Sequence, residues 1–76
     1  MKKETLDARG LLCPLPVLKL RKQLKSMDIG TLITVLADDP AAAIDIPHFC
    51  NETGHKLVSK TNSENGVNVY TVEKVY

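Results

Sequence analysis

A cysteine followed by two prolines in alternation has the clearest chemical character in this chain. Gly10-Leu11-Leu12 precedes Cys13, and Pro14 and Pro16 follow it with Leu15 between them. Proline fits the first turn of a helix, because the N–H groups there have no intrahelical acceptor and the ring pre-sets a helical φ. We therefore place Pro14 and Pro16 at positions one and three of a helix, with Cys13 at or beside its cap.

A thiol at a helix cap faces unpaired N–H groups and the positive end of the helix dipole. Both features favour the thiolate, which is the nucleophilic form of cysteine. No Asp or Glu occurs between Asp7 and Asp28. The pattern predicts a reactive sulfur at Cys13, and the simpler alternative is a small apolar residue packed at a helix start.

The other chemically capable residues fit structural roles. Cys50 follows the spacing of a core stripe, and with Cys13 it forms neither a CxxC pair nor a zinc-ligand pattern, so we predict no metal site. A cysteine protease needs a His base beside the thiol, whereas His48 and His55 both lie by the second helix.

Size and charge narrow the functional classes. The chain has 76 residues, 43% of them hydrophobic, and a formal net charge of +1. We expect one domain over residues 1–76, with its chemistry at the surface and with no general preference for nucleic acid or membranes. The start of the sequence lacks the apolar stretch of a secretory signal, and a reducing compartment argues against a disulfide, so a cytoplasmic protein is expected.

A helical pattern follows the cysteine, from Pro14 to about Met27, and Gly30 supplies its stop. Leu15 and Leu18 fall away from its apolar stripe, toward solvent and on the side of the cysteine. They could dock a partner, or they could simply extend the helix surface. The stripe itself consists of Val17, Leu20, Leu24 and Met27.

The same helix region is basic on its exposed side. Two interpretations stay open: cations that complement the helix dipole, or a surface that steers the protein toward an acidic partner, with RNA phosphate as a weaker possibility. No aromatic side chain is present for base stacking. The cations are Arg9, Lys19, Arg21, Lys22 and Lys25.

The remaining chain completes a β-α-β-α-β-β order. Strands are predicted over 5–8, 31–37, 55–61 and from Val67 to Glu73 or beyond, with a hairpin connection over 62–66. This order predicts an α/β (α+β) two-layer sandwich with a four-stranded mixed sheet and both helices on one face.

The second helix should begin after Asp38-Asp39-Pro40, with an N-cap carboxylate and Pro40 at its first position. Capping would leave Asp38 free to meet a partner. Pro47 predicts a kink or a break near Asp45, and Gly54 should end the helix. Its apolar stripe is Ile46, Phe49, Cys50 and Thr53.

These residues together resemble the TusA/SirA-like family of small sulfur-carrier proteins over nearly the whole length. The resemblance implies the same fold, a cytosolic protein, and sulfane sulfur carried as a persulfide on Cys13. It involves Leu6-Asp7, Gly10-Leu11, Cys13-Pro14-Leu15-Pro16, Gly30, Asp38-Asp39-Pro40, Ile46-Pro47, Phe49-Cys50 and Gly54-His55.

The resemblance also implies partners. The sulfur would come from a cysteine desulfurase or a rhodanese-like protein and pass to an acceptor protein serving tRNA thiolation, cofactor synthesis or sulfur oxidation. The chain would act as a sulfurtransferase-type carrier rather than a stand-alone enzyme, and it would need no cofactor. Leu15 stands where the branch serving tRNA 2-thiouridine synthesis typically has Glu, which argues against that relay. We expect docking through Leu15, Leu18, Arg21, Lys25 and Asp39.

Two other functions remain as alternatives. The first is a non-catalytic regulatory or protein-interaction module in which Cys13 serves at most as a redox sensor. The second is an RNA-binding domain, for which the lack of aromatic residues is the contrary feature.

Overall fold

The fold has six regular elements plus a short 3-10 turn in a computed structural model that describes residues 3–76. Met1 and Lys2, which belong to the domain predicted over 1–76, lie outside the described residues. The strands are β1 (Lys3–Asp7), β2 (Leu32–Ala37), β3 (Lys56–Asn62) and β4 (Asn68–Glu73). The helices are α1 (Leu15–Ser26) and α2 (Ala42–Thr53), and the 3-10 turn is Glu64–Gly66.

The strands form one mixed sheet in the order β1-β2-β4-β3. β1 runs parallel to β2, with Leu6 opposite Val35, as expected for strands joined through a helix. β4 pairs antiparallel with β2, placing Tyr70 opposite Val35, and also antiparallel with β3. The predicted fold class is therefore confirmed.

The core lies between one face of the sheet and both helices. Alternate residues of the central strands are fully buried, including Ile33 and Val35 of β2 and Val72 of β4. Leu20 of α1 and Ile46 of α2 belong to the same cluster, so the two helices cover the same sheet face. Each fully buried aliphatic side chain contributes about 1.5–3 kcal/mol through removal from water. This packing fixes the two helices relative to each other.

The second helix differs from expectation at both its start and its middle. α2 begins at Ala42, after a turn in which the Ala42 N–H donates to the Asp39 carbonyl over 2.9 Å, so Pro40 does not occupy its first position. The helix also continues through Pro47, and the predicted break is not found. Pro47 lies in the second turn and removes only the bond to the Ala43 carbonyl, a local loss that burial of Ile46 on the core face outweighs.

The end of α2 follows the prediction. Gly54 has φ 90°, and its N–H donates to the Cys50 carbonyl over 2.9 Å. A residue with a side chain would be strained at this φ. Within residues 3–76, neither helix has the length and apolar character needed to cross a membrane.

Candidate functional site

Cys13 is exposed and lies immediately before the first helix. α1 begins at Leu15, Pro14 is its N-cap residue and the Cys13–Pro14 peptide bond is cis. The prediction of Pro14 and Pro16 at helical positions one and three is therefore wrong by one residue. Pro16 is the second helical residue and is buried, which anchors the helix start against the core.

Two carboxylates from the end of β2 hold the loop that carries the cysteine. Asp38 Oδ1 accepts a hydrogen bond from the Gly10 N–H over 2.9 Å. Asp39 Oδ2 accepts one from the Cys13 N–H over 2.6 Å, while its Oδ1 accepts one from the Ala41 N–H over 3.1 Å. The expectation that Asp38 is free is thus wrong. Asp39 both shapes the turn before α2 and fixes the backbone of the cysteine.

An ion pair sits at the base of the same loop. Arg9 Nε and Nη2 each donate to a different oxygen of Asp7, both over 2.9 Å. Hydrogen bonds from the Arg9 side chain and backbone lower the pKa of Asp7 to about 2. Arg9 is therefore engaged within the loop, unlike the cations on the exposed side of α1.

The electrostatics at the thiol oppose the expectation drawn from the helix start. Asp45 of α2 lines the same groove as Cys13, and its carboxylate, a hydrogen-bond acceptor for the thiol, is the main cause that raises the pKa of Cys13. Partial desolvation and the negative charges of Asp45 and Asp39 act in the same direction. The sequence near Cys13 has no acidic residue, but the fold brings two carboxylates from a distant segment. These carboxylates therefore favour the neutral thiol over the thiolate.

A shallow groove of about 290 Å³ runs beside the cysteine. The first turn of α1 forms one wall, and α2 forms the other. His48, which sequence analysis did not favour as a base, also faces the groove, but its Nε2 lies 3.8 Å from Glu52 Oε1. The lining residues are Cys13, Pro14, Val17, Asp45, His48, Phe49 and Glu52.

The predicted docking residues divide between two neighbouring surfaces. Leu15 and Leu18 are 45% and 49% exposed beside the cysteine loop. Arg21 and Lys25 line a second cleft, which shares Phe49 with the cysteine groove. Asp39 lies under the loop, where it bonds to Cys13. Neither leucine lines the groove beside Cys13, although both lie near the start of α1, and the two cations lie farther along the helix.

Sequence reasoning missed residues at the site. The sequence marks Asp45 only as the position of a helix break, and no local pattern reveals that it lines the same groove as Cys13. Leu12 is 70% exposed next to the cysteine and could have been recognised from the loop prediction, because a loop leucine has little core to bury in.

The second cysteine has a different environment. Cys50 is 3% exposed and belongs to the core cluster, where burial raises the pKa of its thiol. It does not line the groove beside Cys13. Of the two thiols, Cys13 alone is presented at the surface.

A small two-layer fold with one surface cysteine ahead of its first helix is the arrangement of a known class of proteins. The family model described as Sulfurtransferase TusA matches residues 4–74. The chain therefore belongs to the TusA family, and the resemblance predicted from its motif is confirmed.

Individual proteins that are similar to this chain support its place in the TusA family. Two proteins of Neisseria meningitidis, from serogroups A and B, are provisionally named as sulfur carrier proteins. Each is 45% identical to this chain over 64 residues, which cover 84% of this chain and 86% of the relative. The crystal structure of a SirA-like protein from Desulfitobacterium hafniense superimposes with a TM-score of 0.84 at 27% identity, covering 96% of this chain and 99% of that one.

Proposed function

We propose that this protein is a cytoplasmic sulfur carrier that holds sulfane sulfur as a persulfide on Cys13. The observation that carries the proposal is the exposed Cys13 on a loop fixed by Asp38 and Asp39, in a chain of the TusA family. The donor is a cysteine desulfurase or a rhodanese-like protein, and the acceptor is a second protein thiol. Residues 1–76 act as one carrier domain.

The transfer is a thiol exchange. The thiolate of Cys13 attacks the outer sulfur of a donor persulfide, R–S–SH, and the bond between the two donor sulfurs breaks. The donor leaves as a thiolate and takes up the proton that Cys13 released, so Cys13–SH and R–S–SH become Cys13–S–SH and R–SH. No oxidant or reductant is consumed. The same exchange in the next protein returns Cys13 to the thiol.

Surface presentation suits this exchange, because two proteins must bring their sulfur atoms together. Leu15 and Leu18 supply exposed apolar area near the start of α1, and Arg21 and Lys25 supply charge along the same helix. Asp39 contributes by fixing the backbone of the cysteine for docking. Leu15 stands where the tRNA 2-thiouridine branch typically has Glu, which argues against that relay as the destination of the sulfur.

Sulfur loading provides the direct test. The purified chain is incubated with a bacterial cysteine desulfurase and L-cysteine, and the intact mass is measured without reductant. We expect one added sulfur on the wild type and on Cys50→Ser, and none on Cys13→Ser. Equal labelling of Cys13→Ser would contradict the assignment.

A second measurement separates the carrier from an interaction module. Loaded protein is mixed with a small thiol such as dithiothreitol, which should release hydrogen sulfide from wild type in proportion to the added mass. A regulatory module with a merely redox-sensitive cysteine would show no such sulfide release. Its biological activity would also survive Cys13→Ser under reducing conditions.

A further inference from the structure

The groove beside Cys13 combines an apolar floor with an acidic rim. Pro14, Val17 and Phe49 provide its apolar surface. Asp45 and Glu52 project from α2, and none of the described residues that line the groove is a lysine or an arginine. A surface of this composition complements a segment that is itself apolar and positively charged.

The acidic rim is linked to the reacting sulfur. Asp45 lines the same groove as Cys13, and its carboxylate raises the pKa of the thiol, which is only a weak hydrogen-bond donor. A lysine or arginine that approached Asp45 would form a charge-assisted bond, which is stronger and would compete for the same carboxylate. Its positive charge would also lie close to the sulfur and would favour the thiolate.

Charges of opposite sign line the two neighbouring surfaces that meet at Phe49. Phe49 separates the acidic groove from the cleft that contains Arg21 and Lys25 of α1. Arg21 and Lys25 have no acidic side chain among the described residues that line their cleft. A docking protein therefore meets negative charge in the groove and positive charge in the cleft. This asymmetry favours one orientation of the bound protein.

We propose that the groove receives a cationic, apolar segment of the sulfur-exchanging protein, and that a lysine or arginine of this segment pairs with Asp45 and Glu52 beside the sulfur of Cys13. This inference rests on the proposed function, because it takes Cys13 as the sulfur-bearing residue. The proton of the thiol passes to water as the cation pairs with Asp45. Docking thus offsets the negative charge beside the thiol and makes Cys13 more nucleophilic than it is in the free carrier.

The test uses small disulfides that differ in charge and carry no sulfane sulfur. Cystamine is cationic and 3,3′-dithiodipropionate is anionic, and each forms a mixed disulfide with Cys13 that is followed by mass spectrometry. We expect wild type to react with cystamine roughly tenfold faster than with the anionic reagent at low ionic strength. Asp45→Asn and Glu52→Gln should each reduce this preference, and Asp45→Asn should reduce it more.

Matched controls identify the role of the groove. Glu73→Gln removes a carboxylate on β4, outside the groove, and should leave the preference unchanged. The neutral reagent iodoacetamide should modify Asp45→Asn faster than wild type, but Glu52→Gln at the wild-type rate. Circular dichroism and urea unfolding show whether each variant is folded.

Specific results would overturn the inference. A wild type without charge preference, or an Asp45→Asn variant that keeps the full preference, would exclude a cation-accepting groove. These reactions do not require sulfane sulfur, so their failure would leave the desulfurase loading of Cys13 intact. Conversely, absent sulfur loading with a preserved preference for cystamine would reject the proposed function alone.

Discussion

The two cysteines of this chain both have a raised pKa, but the causes differ. The carboxylate of Asp45 is the main cause that raises the pKa of the exposed Cys13, and desolvation and the charge of Asp39 act in the same direction. For Cys50, burial in the core raises the pKa. The carboxylates near Cys13 lie where a docking protein can reach them. The burial of Cys50, in contrast, is part of the folded core.

This difference shows why a raised pKa does not by itself identify an inert thiol. A cation near Asp45 can reverse the effect at Cys13 without any change of fold. To lower the pKa of Cys50, the helix–sheet interface would have to open, and this opening costs about as much free energy as unfolding the core. The environment of each sulfur therefore separates a carrier cysteine from a structural one.

The largest expected effect is the difference in alkylation of the two thiols in the native protein. Cys13 should react with iodoacetamide roughly a hundredfold or more faster than Cys50, because opening the core costs several kcal/mol. Peptide mass spectrometry after timed labelling measures both rates in one sample. Unfolding in urea should make the alkylation rates of the two cysteines similar. Similar rates in native buffer would show that the core does not protect Cys50.

The next effect concerns stability. Cys50→Ser places a hydroxyl in the core and should lower the free energy of unfolding by about 1–2 kcal/mol, a loss limited by a hydrogen bond that serine can make to the preceding helical turn. Cys13→Ser is at the surface and should change it by less than about 0.5 kcal/mol. Urea unfolding of both variants tests this contrast. An equal loss in the two would show that Cys13 also contributes to packing.

The smallest effect is a shift in the pH dependence of alkylation. Asp45→Asn removes the carboxylate that raises the pKa of the Cys13 thiol, so the pKa of Cys13 should fall. The rate profile should move to lower pH, with severalfold faster labelling of Cys13 near neutrality. The Cys50 profile in the same variant is the internal control. A shift toward higher pH would show that Asp45 favours the thiolate.

Much of the fold follows from local sequence patterns. The apolar spacing of Leu20 and Leu24 predicts α1, and the β-branched run before Asp38 predicts β2, because each pattern reports which face is buried. Gly54 ends α2 as expected, since few residue types other than glycine adopt the positive φ found at this position. The predicted starts of the two helices are less accurate, because the turns before the helices depend on contacts with other segments.

The candidate site was predictable only in part. Cys13 stands out through its prolines, but the residues that set its environment are far away in sequence. The Gly10–Asp38 bond joins residues 28 positions apart and the Cys13–Asp39 bond joins residues 26 apart. No local rule connects such positions, so the acidic surroundings of the thiol emerge only when the segment after β2 and the start of α2 pack against the cysteine loop.

The strand order has a consequence for synthesis of the protein. β4 is the last strand along the chain, yet it lies inside the sheet between β2 and β3. Its Tyr70 and Val72 are fully buried, so the core cannot be completed before this strand leaves the ribosome. The segment bearing Cys13 emerges much earlier. During translation its thiol therefore belongs to an incompletely folded chain, and the core below the cysteine loop is completed only when β4 inserts.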